Sequence, residues 1–121
     1  MAERRALVVE DSLLILIGLE MLLEHFQITV VGPASTVQEA LALAGQGGYD
    51  MAILDINLHN ELSYPVADLL TERQVPFIFT TGYMADAVPP RFAAVPCIQK
   101  PYESEALIAL VEQALAQAHA R

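Results

Sequence analysis

A single cysteine, Cys97, stands among 121 residues, so an internal disulfide is excluded and the chain fits a reducing compartment. Basic residues are scarce. Six Lys and Arg stand against fifteen Asp and Glu, a formal net charge of −9. Such an acidic surface repels phosphate backbones and anionic lipid, which argues against direct binding to nucleic acid or membrane. No apolar stretch is fit to span a bilayer: Leu13 to Leu23 is too short and is broken by Gly18 and Glu20. Arg4-Arg5 precede only a short apolar run cut by Glu10-Asp11, so no signal peptide is expected. His25, His59 and His119 are scattered without metal-site spacing. Gly45-x-Gly47-Gly48 lacks both a preceding strand and a following Gly-Lys-Ser/Thr, so it is not a phosphate loop.

What the chain does have is apolar content, 55%, enough for one compact core. A single domain over residues 1–121 is expected, with no linker, output domain, internal repeat or low-complexity segment. Strand-like and helix-like patterns alternate. Ala6 to Val9 reads as the first strand, followed by a helix capped by Ser12 and running to about Phe26. Ile28 to Val31 is a second strand, closed by Gly32-Pro33. Ser35 and Thr36 offer two overlapping capping boxes for a helix ending near Gly45. Asp50 to Leu54 is a third strand, and Leu58 to Ser63 read as a loop. A helix from about Tyr64 to Arg73 carries Pro65 in its first turn, where proline is tolerated. Strands ending at Thr80-Thr81 and at Gln99 follow, then a helix from Glu103 to His119. Pro89-Pro90 allow only a short or irregular fourth helix within Met84 to Ala94. This alternation implies a parallel sheet wrapped by helices on both faces.

Ligands of such sheets sit at the carboxyl ends of the strands. Three strands deliver polar groups there: Glu10-Asp11, Asp55, and Thr80-Thr81-Gly82, with Lys100-Pro101 after the fifth. Strand alternation sends Thr80 and Thr81 to opposite sides. Three carboxylates in one pocket repel, and a hard divalent ion such as Mg²⁺ relieves that repulsion. Lysine and hydroxyl groups suit a phosphoryl group, and an aspartate can itself act as nucleophile.

These residues resemble, over essentially the whole chain, a response-regulator receiver domain of two-component signalling. The resemblance implies a flavodoxin-like, doubly wound five-stranded sheet of order 2-1-3-4-5, an order for which a chemotaxis receiver is a standard example. It implies that Asp55 is the phosphoacceptor and that Glu10, Asp11, Asp55 and the backbone carbonyl of Asn57 hold Mg²⁺. Thr81 and Lys100 would contact the phosphoryl group, and a cis bond is implied at Lys100-Pro101. Phe77-Ile78-Phe79-Thr80-Thr81-Gly82-Tyr83 resembles the receiver subgroup with a Phe-x-Thr-Gly-Tyr signature, called FAT GUY. Many receivers carry a switch aromatic where this chain has Cys97, so switching is expected to run through Thr81, Gly82 and Tyr83.

The function implied is a stand-alone cytoplasmic phosphoacceptor that catalyses only its own phosphorylation and dephosphorylation. Its donor would be a sensor histidine kinase or a histidine phosphotransfer protein. Its output would be binding to a downstream protein, or it would serve as a phosphate sink. Two other readings stay open: a small aspartyl-phosphate phosphatase or phosphotransferase, and a degenerate receiver that binds partners without phosphorylation. Asn57 cannot transfer the proton that the phosphatase reading needs. If Ile15, Leu19, Leu22 and Leu23 of the first helix face the sheet, then Leu14, Ile17 and Met21 form an outward apolar row. That row is expected to dock the phosphodonor's helical bundle or a second copy of the chain.

Overall fold

Met51-Ala52-Ile53-Leu54-Asp55 has no polar alternation, so it needs protein on both faces. All five residues are buried, and so are Phe77 to Thr81. The computed structural model describes residues 3–82 and 88–119. Its elements are β1 (Arg4–Val9), α1 (Leu13–His25), β2 (Ile28–Ala34), α2 (Val37–Gln46), β3 (Met51–Asp55), β4 (Asn57–Leu58), β5 (Glu61–Leu62), α3 (Tyr64–Glu72), β6 (Phe77–Thr81), a 3₁₀ turn (Pro90–Phe92), β7 (Cys97–Gln99) and α4 (Ser104–His119). The main sheet runs β2-β1-β3-β6-β7, every pair parallel, which is the flavodoxin-like order expected.

Period-two alternation divides the core. Leu7, Val9, Leu54 and Phe79 face α2 and α3, while Ala6, Val8, Ile53 and Ile78 face α1 and α4. Val9 is level with Leu54, and Leu54 with Phe79. The next residues along, Glu10, Asp55 and Thr80, therefore lie level with one another towards the carboxyl edge, and Asp55 pairs directly with Thr80. The fold thus gathers the polar strand ends at one edge.

Three expectations change. β2 continues through Gly32 and Pro33 to Ala34, which an edge strand permits because its outer N–H groups have no partner to lose. Gly32 has φ +96°, and a Cβ there would lie 3.0 Å from the Ala34 nitrogen and 3.3 Å from the Val8 oxygen. On α1 the buried stripe is Leu16, Leu19 and Leu23, with Ile15 and Leu22 only partly covered. The loop after Asp55 contains the β4–β5 hairpin, turned by His59 (φ 49°) and Asn60 (φ 67°). Positive φ at both central residues is what a two-residue hairpin turn requires. Between β6 and β7 the described element is the turn Pro90–Phe92, a short piece within the expected Met84 to Ala94; Tyr83 and the start of that segment lie outside the described residues. Both capping boxes resolve in favour of Thr36, whose hydroxyl accepts from Glu39 N while the Glu39 carboxylate accepts from Ser35 N.

Thr80 is 2% exposed and, among the described residues, its hydroxyl has no hydrogen-bond partner. Removing an unsatisfied buried hydroxyl costs little, because no bond is lost. Thr80→Val is expected to be neutral or stabilising by up to about 1 kcal/mol. A urea midpoint equal to or above that of the wild type, at unchanged slope, checks this.

Candidate functional site

β1 ends with Glu10 buried and Asp11 half-buried, and β3 ends with Asp55 3% exposed. One residue past β7, Lys100 reaches back between them. Its Nζ donates to Asp55 Oδ2 at 3.0 Å and to Glu10 Oε1 at 3.1 Å. Glu10 Oε2 accepts from the Ser12 amide at 3.0 Å, so both of its oxygens are engaged. Asp11 Oδ2 accepts from the His59 amide at 2.9 Å, which ties the hairpin turn to the site. Glu10, Asp11 and Asp55 each bring a carboxylate oxygen within 4.8 Å of the others.

The charge balance is uneven. Burial, and then the neighbouring Glu10 carboxylate, push the Asp55 carboxyl up to about 7, although Lys100 pulls the other way. Burial disfavours charge on Lys100, but its bonds to Asp55 and then Glu10 outweigh this and hold it above its ordinary range. Burial also raises Asp11, yet the His59 amide and its other partners bring it below the usual carboxylate value. One ammonium group does not compensate three carboxylates, and a divalent cation of oxygen-binding character fits this donor set.

Asp11, Asp55, Asn57, His59, Asn60, Gly82 and Lys100 line an open cavity of about 410 Å³. Thr81 is buried at the end of β6 and its carbonyl accepts from the Lys100 amide at 2.7 Å. The Lys100-Pro101 bond is cis, as the resemblance implied. The structure therefore unites Glu10, Asp11, Asp55 and Lys100, with Asn57, Thr81 and Gly82 adjacent; the switch residue Tyr83 lies outside the described residues.

The model of the response regulator receiver domain matches residues 6–112. The chain belongs to the response-regulator receiver family. Among solved structures, this receiver is similar to SdrG from Sphingomonas melonis Fr1, at 43% identity and TM-score 0.82, covering 96% of this chain and 99% of that one. A BeF3-activated conformation of SdrG, from Pseudomonas melonis Fr1, is 40% identical with TM-score 0.77, covering 94% and 98%. The sensory transduction protein LytT of Bacillus cereus is 30% identical over 108 residues, 86% of this chain and 44% of that protein. The receiver thus spans less than half the length of the curated relatives it matches.

Sequence reasoning overlooked Ser63. It is fully buried, and its hydroxyl donates to the Asp55 carbonyl at 2.6 Å. Its one legible signal was a serine placed immediately before a helix, which reads as an ordinary cap. The expected apolar row is present: Leu14 is 82% exposed, Ile17 49% and Met21 67%. Beside it Leu14, Ile15, Gly18, Leu19 and Leu22 form a groove of about 470 Å³ with Lys100, Pro101 and Tyr102. Among the described residues no helix is long and apolar enough to cross a membrane.

Proposed function

We propose that this receiver accepts a phosphoryl group on Asp55 from a phosphohistidine of a sensor kinase or phosphotransfer protein in the cytoplasm. The observation that carries this reading is a buried carboxylate with Lys100 on one oxygen, two further carboxylates within 4.8 Å, and an open cavity in front of it. In the transfer an Asp55 oxygen attacks phosphorus, a P–O bond forms and the P–N bond breaks. The electron pair of that bond returns to the imidazole, which takes up a proton from solvent. Lys100 supplies positive charge beside the incoming phosphoryl oxygens, and the Thr81 hydroxyl a donor. Glu10, Asp11, Asp55 and the Asn57 carbonyl would hold Mg²⁺, with Asp11 and Asp55 as direct ligands, since both Glu10 oxygens already have partners. When bound, that ion neutralises phosphoryl and carboxylate charge. The phosphorylated protein signals through a protein partner or drains phosphate from the kinase. Acetyl phosphate with Mg²⁺ should add one phosphoryl mass, and EDTA should prevent it. An unchanged mass at saturating donor and metal would overturn the reading.

Leu14 of the exposed row on α1 also lines the groove, which reaches Lys100, the partner of Asp55, so a partner seated on row and groove together comes close to the site. Each fully buried Leu, Ile or Met contributes roughly 1.5–3 kcal/mol before association costs. Ile17→Glu with Met21→Lys is expected to leave acetyl-phosphate labelling intact and to slow transfer from the kinase at least tenfold, or to abolish self-association. Kinase transfer at the wild-type rate with an unchanged oligomeric state would exclude this face.

A further inference from the structure

Among the described residues, three helices begin behind a Ser or Thr. At two of them the hydroxyl caps: Ser12 Oγ accepts from the Ile15 amide and Thr36 Oγ1 from the Glu39 amide. Ser63, ahead of α3, makes no such bond. Pro65 in the first turn lowers the need for a cap, because proline has no N–H to satisfy. The Ser63 hydroxyl is turned instead onto the Asp55 carbonyl at 2.6 Å, while its own amide donates to the Ile56 carbonyl at 2.8 Å. The Ile56 amide donates to the Thr80 carbonyl at 3.0 Å. The peptide plane leaving Asp55 is therefore held on its oxygen by Ser63 and on its N–H by β6. A fully buried serine thus grips two successive carbonyls at the strand exit, immediately before Asn57.

We propose that Ser63 is a positioning residue for the phosphoacceptor: its hydroxyl fixes the backbone of Asp55, and so the aim of the carboxylate beside Lys100. The inference rests on Asp55 as the acceptor. A hydroxyl used only for folding would affect stability alone, whereas small errors of aim lower the rate of the bond-making step. The test follows labelling by acetyl phosphate at saturating Mg²⁺ in the full chain, with folding monitored by amide NMR. Ser63→Ala is expected to lower the maximal labelling rate about tenfold and to change the half-saturating donor concentration less than twofold. Ser63→Cys, nearly the same size with a weaker donor, should fall between alanine and wild type; if the alanine variant does not fold, the cysteine variant alone decides on the same criterion. A folded variant that labels at the wild-type rate overturns the role of Ser63. Failure of the wild type to label, or a label elsewhere, would instead refute Asp55 as acceptor, so the two failures are distinct.

Discussion

Asp55→Asn should yield a protein that takes up no phosphoryl group and unfolds at a higher temperature than the wild type. The first effect follows because an amide oxygen lacks the charge to act as nucleophile. The second follows from burial: Asp55 is 3% exposed beside Glu10, and its carboxyl sits at about 7 rather than 3.8. Crowded, buried carboxylates of a reactive site lower stability, and relieving one is expected to give about 0.5–2 kcal/mol, the size of an ordinary stabilising substitution, with each kcal/mol worth roughly 2–8 °C in a domain near this size. The pH dependence has a definite sign. Between pH 3.8 and about 7 the folded state holds a proton that the unfolded state has lost, so wild-type stability falls as pH rises through that window. Asparagine does not titrate, so the advantage of Asp55→Asn should be small at pH 5 and largest at pH 8. Thermal unfolding of both proteins at the two pH values, without added metal, measures it. An advantage that shrinks on going to pH 8 would contradict the assignment.

Lys100→Met should be the most damaging single change at the site. The Lys100 side chain is 17% exposed and those of Glu10 and Asp55 are each 4% exposed, so its removal leaves two buried carboxylates facing each other. Removing one partner of a buried pair costs roughly 3 kcal/mol. Protonation of a carboxylate relieves part of that cost, so the loss should be smaller at pH 5.5 than at pH 8. The second change Asp55→Asn should then recover stability beyond its effect in the wild-type background, a coupling of at least about 1 kcal/mol. Denaturant titration of the four proteins closes the cycle. Strict additivity would mean that the ammonium group does not hold these two carboxylates.

The parallel sheet and the acidic pocket were legible because they rest on long-range regularities, apolar runs without alternation, each ended by a polar residue; the strand order came from the receiver resemblance. The face of α1 was not. Leu13, Leu14, Ile15, Leu16 and Ile17 are all apolar, so sequence periodicity cannot set the phase, and packing against β1 and β3 chose Leu16 over Ile15. Gly32-Pro33 looked like a strand end because proline usually stops pairing, yet the edge position of β2 makes the missing N–H harmless. His59-Asn60 carried a partial sign, since asparagine tolerates positive φ. The target of Ser63 was hidden because eight residues separate it from Asp55 and only the folded hairpin brings the two together. Cys97 is half-buried against the α2 and α3 side of the core, close to the packing role expected of it.

The position of the phosphoryl group on the chain tests the central claim most directly. Protein labelled with acetyl phosphate and Mg²⁺ is reduced with borohydride, which converts an aspartyl phosphate to homoserine, and the peptides are then weighed. The account predicts homoserine at position 55 and unmodified aspartate at position 11. A modification on any other side chain, or none on a protein whose intact mass shows the label, would contradict it.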